Sequence, residues 1–152
     1  MIPEGFEVFS EDNSFHDSIA PIYFRIIDSG PEIGALVEQK HCNPVDFMHG
    51  GVMMSILDIA FSTAVSVSLG KFTSTPTISL NFYFITGAKV SDWVVAKVDT
   101  VTLKRTVDFV SGSIEGPRGS VARASGCFKI PADIDAALGM SVEDYLVWRR
   151  GK

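Results

Sequence analysis

The chain has 152 residues, the length of one domain, and its 13 Lys+Arg against 18 Asp+Glu leave a net charge of −5. Hydrophobic residues at 46% and charged ones at 20% exclude a disordered chain, and the acidic balance argues against nucleic acid as a partner. The apolar excess calls for either a membrane span or a large buried interface.

Residues 1–20 are mixed in character and suit a short helix or an edge segment. Ile22–Ile27 reads as a strand running into the turn Asp28-Ser29-Gly30-Pro31, and Ile33–Lys40 as its hairpin partner. Asn43-Pro44-Val45-Asp46 is loop chemistry, and His49-Gly50-Gly51 opens an apolar helix that ends near Gly70. Val52–Leu69 has about the minimum length for a membrane span, but Asp58 near its centre and five Ser or Thr residues argue against one. A helix apolar nearly all round is better read as one enclosed by the rest of its own fold.

Beyond the helix the period changes to two. Thr77, Ser79, Asn81 and Tyr83 alternate with Ile78, Leu80, Phe82 and Phe84, and strands follow over 93–103, 107–114 and 121–130. Pro131 breaks the sheet, and Ser141-Val142-Glu143-Asp144 marks the start of a short terminal helix. Two strands, one long helix and four strands in meander imply an α+β domain over 1–152: an antiparallel sheet of about six strands curled around one long helix. The core is placed at about 20–130, with 131–152 as a C-terminal extension.

Cys42 and Cys127 lie far apart without a CxxC pairing, the cysteine usage of a reducing compartment, so the chain is expected to be cytoplasmic. Neither His41 nor His49 has a ligand pair at zinc-like spacing, and no metal site is expected.

Two features carry chemistry. Asp58 is the one carboxylate in an apolar helix; it is either a candidate general base or part of a polar patch at a subunit contact. Gly50-Gly51 at a helix N-terminus leaves backbone N–H groups for an oxyanion, with Asn43 and His49 near enough in sequence to position a reacting group. The competing reading is a tight loop-to-helix turn with His49 as a cap. If the helix begins near Gly50, Asp58 lies about 12 Å further along its axis. One scissile bond cannot touch both, so if both are catalytic the site needs two chains.

Asn43-x5-His49-Gly50-Gly51, with Asp58 nine positions after the histidine, resembles the signature of the hot-dog-fold acyl-CoA thioesterases, closest to the phenylacetic-acid-pathway and thioesterase-superfamily-member-2 subgroup. Thr77-Ile-Ser-Leu-Asn81-Phe-Tyr-Phe-Ile-Thr-Gly-Ala-Lys89 is similar to that family's strand after the helix. The resemblance implies homodimers with a continuous sheet, often dimers of dimers, and hydrolysis of acyl-CoA without metal or bound cofactor, CoA entering only with the substrate. It implies Asp58 as the carboxylate that activates water or attacks, Gly50 as the carbonyl-polarising N–H, Asn43 and His49 as orienting groups, and Thr77 as an assisting hydroxyl. Substrate contacts are expected from Gly51, Met54 and Phe82, with Met53, Phe61 and Phe84 as further candidates for the acyl chamber. Lys89, Lys104 and Arg105, with Arg118 and Arg123 as further candidates, supply cations for the CoA phosphates.

Two departures stand out: Asp46 where the family frequently has Gly, and Gly87 where Pro is usual. A hot-dog dehydratase or hydratase using His49 as base, and a non-catalytic acyl-CoA-binding module, are the alternative functions.

Overall fold

The computed structural model describes residues 1–9, 14–135 and 139–150. Its sheet comprises β1 (Glu7–Val8), β2 (Ile22–Ile27), β3 (Gly30–Leu36), β5 (Thr77–Phe84), β6 (Trp93–Leu103), β7 (Val107–Gly116) and β8 (Gly119–Lys129). They run antiparallel in the order β1-β2-β3-β6-β7-β8-β5, so the seven-stranded sheet ends on β5. A second, two-stranded sheet joins β4 (Lys71–Phe72) to β9 (Met140–Ser141). The helices are α1 (Phe15–Ser18), α2 (Gly50–Leu69) and α3 (Val142–Arg150).

The α2 helix is the centre around which the sheet curls. His49 caps its N-terminus, and Gly70 ends it at φ 72°, the left-handed conformation that glycine adopts without a Cβ penalty. Ile56, Leu57, Ala60, Phe61 and Val65 are fully or almost fully buried against the sheet. Each of the larger ones contributes about 1.5–3 kcal/mol by leaving water. The 20-residue helix is long and apolar enough to cross a membrane, yet half of its residues are buried inside the fold. Gly51, Met54, Ser55, Asp58 and Ser62, at helical spacing, form a stripe that the chain's own sheet leaves partly uncovered.

Several expected boundaries move. The second hairpin strand starts at Gly30 and stops at Leu36, and Gln39–His41 forms one 3-10 turn instead of extended chain. The N-terminal region supplies both a short edge strand and a short helix. The terminal helix starts as read: the Ser141 Oγ accepts from the Asp144 N–H at 3.0 Å.

One buried group fits this core poorly. Asp108, opposite Phe128 in the sheet, is 0% exposed, and neither carboxylate oxygen has a hydrogen-bond partner among the described residues. Burial pushes its pKa up, and the Lys104 N–H, which donates its bond to the Val107 carbonyl, offsets this only in part. Above the ordinary carboxylate value the native chain therefore holds a proton that the unfolded chain has released, and stability falls as pH rises through that window. Asp108→Asn is expected to raise Tm by at least about 3 °C at pH 8, with the gain shrinking at pH 4. Thermal melts at the two pH values check it; equal gains at both would refute the burial argument.

Candidate active site

The loop before α2 is held by Asn43. Its Oδ1 accepts from the Val45 N–H at 3.0 Å and the Phe47 N–H at 3.2 Å, while its own N–H donates to the Phe47 carbonyl. Among the described residues the side-chain amide nitrogen has no partner and is left as a spare donor. Asp46 sits at φ 62°, the left-handed region, which is the physical reason a glycine is common there. Aspartate tolerates that conformation, and here its Oδ1 also accepts from Gln39 Nε2 at 2.8 Å. The other departure has a steric reason. A Cβ on Gly87 would lie 2.2 Å from the Phe47 ring, so proline cannot stand there while Phe47 packs in this way.

His49 Nδ1 accepts from the Gly51 N–H at 2.9 Å, capping α2. This fixes the tautomer, with the proton on Nε2, so the exposed imidazole edge is a donor. The cap corrects one expectation: the Gly51 N–H is consumed within the chain and is not open to a ligand. The Gly50 N–H has no acceptor among the described residues and remains available at the positive end of the helix. The Phe84 ring covers this residue, 3.0 Å from where a Gly50 Cβ would be, and lies 5.0 Å from the Phe82 ring.

Asp58 is half-buried, and its Oδ1 accepts from the Thr77 hydroxyl at 2.7 Å. A β-bulge makes this bond possible. Thr77 pairs with Phe128 and Ser79 with Cys127, leaving Ile78 as the extra residue. Strict alternation would put Thr77 on the outer face with Ser79 and Asn81. The bulge turns it onto the helix-facing side with the buried Phe128.

The surroundings of Asp58 are polar as well as apolar. It stands in a cleft of about 300 Å³ whose walls include Phe9, His16, Ser62, Thr73, Thr75 and Tyr145. Much of that polarity comes from the Thr73-Ser74-Thr75-Pro76-Thr77 segment, which no helix-periodicity argument includes. That run of hydroxyls was the available signal. Met53 and Phe61, expected in the acyl chamber, are 3% and 0% exposed and belong to the core. Met54 is exposed on the uncovered stripe of α2, and Phe82 is half-buried.

The cations divide. Arg118 is ion-paired with Asp92, and Arg123 lies 2.7 Å from Asp99. Lys89 stands over the Phe47 ring, 5.3 Å from its centroid, beside the Asn43–His49 loop. Lys104 and Arg105 make no ion pair among the described residues and occupy the β6–β7 turn. That turn lies near the start of β5, because Ile130 N–H donates to the Thr106 carbonyl and Lys129 N–H to that of Pro76. Cys42 has its thiol pKa raised by burial and then by Asp46, the condition of an inert thiol. Among the described residues no group of three His, Cys, Asp or Glu could hold a metal ion.

The structure thus brings Asn43, His49, Gly50 and Lys89 together at one end of α2 and Asp58 with Thr77 eight residues further along. A long helix wrapped by an antiparallel sheet, with a carboxylate on the helix's uncovered stripe bonded to a hydroxyl of β5, is the architecture of the hot-dog class. Comparison with known sequences makes the assignment specific. The thioesterase superfamily matches residues 46–121, half of the chain, and the chain belongs to this family of thioester hydrolases. A Pseudomonas aeruginosa protein with a provisional esterase name is 28% identical over 131 residues, 86% of this chain and 98% of its own. Zebrafish thioesterase superfamily member 2 shares the fold at a TM-score of 0.67 and 16% identity, covering 80% of this chain and 89% of that one. A hypothetical thioesterase protein of Streptococcus pneumoniae, solved with coenzyme A, aligns at a TM-score of 0.64 and 20% identity, over 79% of this chain and 88% of that one. The family and the fold expected from the Asn43–Asp58 signature are therefore borne out.

Proposed function

We propose that the protein hydrolyses acyl-CoA thioesters at a site shared by two chains, with Asp58 activating water. The observation that carries this reading is the Asp58–Thr77 pair beside the cleft. Thr77 donates to one carboxylate oxygen, leaving Oδ2 to accept a proton from water. The resulting hydroxide attacks the thioester carbonyl carbon, and the carbonyl oxygen becomes an oxyanion held by the Gly50 N–H. When the C–S bond breaks, the CoA thiolate takes the proton from Asp58. Asn43 through its amide nitrogen and His49 through Nε2–H are the remaining donors that orient the carbonyl.

The two halves lie too far apart on one helix to act on one carbonyl. A second copy resolves this. The β5 strand is eight residues long, has a neighbour on one side only among the described residues, and exposes Ile78, Tyr83 and Phe84 at 56%, 69% and 56%. Antiparallel pairing of two β5 edges about a two-fold axis sets the Thr77 end of one against the Phe84 end of the other. The Phe84 end carries Gly50, so Asp58 of each chain approaches the N-terminal end of its partner's helix. Homodimerisation follows from this reading, with CoA phosphates held by Lys89, Lys104 or Arg105; no metal or bound cofactor takes part.

A base role for His49, as a hydratase would need, is disfavoured because Nδ1 is occupied by the Gly51 N–H and Nε2 carries the proton. The direct test is release of free thiol from a panel of acyl-CoAs. Release from at least one is expected; hydration of enoyl-CoA without thiol release would overturn the proposal.

A further inference from the structure

One wall of the cleft at Asp58 is Tyr145 of the C-terminal segment, which lies outside the residues that match the family. Three contacts dock that segment. β9 pairs with β4 through Lys71↔Ser141 and Phe72↔Met140, and Lys71 forms an ion pair with Asp135. Tyr145 of α3 stacks flat on Phe72, with ring centroids 3.6 Å apart and planes at 3°. Tyr145 is 8% exposed and is itself a wall of the cleft. A stacked aromatic pair there sets how far an acyl group can extend.

The side walls are of a different kind. Burial alternates along Thr73-Ser74-Thr75-Pro76, so Thr73 and Thr75 both turn inward, at 6% and 7% exposure. Neither hydroxyl has a hydrogen-bond partner among the described residues. A buried hydroxyl without a partner is costly, and a site used only by hydrocarbon has no reason to keep two. Both oxygens are covered as packed, and a χ1 step of about 120°, which carries the hydroxyl to the place of the methyl, is what would present either one to an occupant of the cleft.

We propose that the acyl group this site accepts is short and bears a hydroxyl or keto substituent, bonded by Thr73 and Thr75 and limited in length by the Tyr145–Phe72 stack. The inference rests on the acyl-CoA hydrolase reading above. Its chemistry is that of a pocket built to hydrogen-bond a substrate group, which rejects the analogue lacking that group.

The test uses the full chain and free-thiol release from 3-hydroxybutanoyl-, butanoyl- and hexadecanoyl-CoA. The kcat/KM for the hydroxylated substrate is expected to exceed that for butanoyl-CoA by about tenfold, and that for hexadecanoyl-CoA by more. The double variant Thr73→Val with Thr75→Val keeps side-chain shape and should bring the hydroxy-to-plain ratio to about one. Tyr145→Ala, and Tyr145→Leu as a variant that keeps an apolar anchor, should raise the hexadecanoyl-to-butanoyl ratio by about tenfold. Turnover with no hydroxyl preference, a ratio unmoved by the double valine variant, or a length profile unmoved in both Tyr145 variants overturns this proposal and leaves the hydrolase reading standing. No thiol release from any acyl-CoA overturns both.

Discussion

An Asp58→Asn protein is expected to fold and to bind acyl-CoA, yet to release free thiol at least about a thousandfold more slowly than the parent chain. The size follows from what is lost: general-base assistance contributes typically 10²–10⁴ in rate, and an amide cannot take a proton from water at neutral pH. Folding should survive because the half-buried Asp58 has one side-chain partner among the described residues, the Thr77 hydroxyl, and an asparagine oxygen can still accept from it. The loss should therefore fall in kcat, with KM little changed. Thr77→Val gives a graded control: the carboxylate keeps its place on α2 but loses the donor that fixes Oδ1, so a smaller loss, on the order of tenfold, is expected. Steady-state kinetics with thermal melts on the same samples read both effects. An Asp58→Asn rate within a few-fold of the parent would remove the carboxylate from the mechanism.

The sequence makes Asp58 legible because a carboxylate in an apolar helix is costly unless something uses it. It does not make the Asp58–Thr77 bond legible. Period-two alternation assigns Thr77 to the solvent face, and only the extra residue Ile78 reverses that assignment. A bulge is a property of strand pairing, and pairing is not written in the strand alone. The helix was readable at both ends, since His49 and Gly70 are local signals whose physics is complete within a turn. The wall at Tyr145 was not. It depends on β9 crossing more than sixty residues of sequence to reach β4, and no local pattern in either two-residue strand announces the other. Asp46 falls between these cases: its left-handed backbone explains why glycine suits the position, but that reason became visible only with the φ angle.

The second large effect concerns how many chains make one site, and Asn43 is the residue that tests it. Its Oδ1 holds the loop through the Val45 and Phe47 N–H groups, while its amide nitrogen has no partner among the described residues. Asn43→Asp keeps the acceptor and removes the donor, so the loop should persist while oxyanion-side stabilisation falls, a loss of about 10²–10³ in kcat. Asn43→Ala would remove both and confound the two. Asp58→Asn and Asn43→Asp are then each nearly inactive alone. If Asp58 of one chain works with the Asn43–Gly50 loop of its partner, a mixed dimer holds one site with both lesions and one with neither. Such a dimer should show about half the parental activity, and a random equal mixture, in which about half of the dimers are mixed, about a quarter. Co-expression with two different tags isolates the mixed dimer and removes any dependence on subunit exchange. Activity in that species no higher than in either parent variant would mean that each chain carries its own complete site, and the 12 Å separation along α2 would then have to be closed within one chain, which a continuous helix of about 1.5 Å rise per residue does not allow.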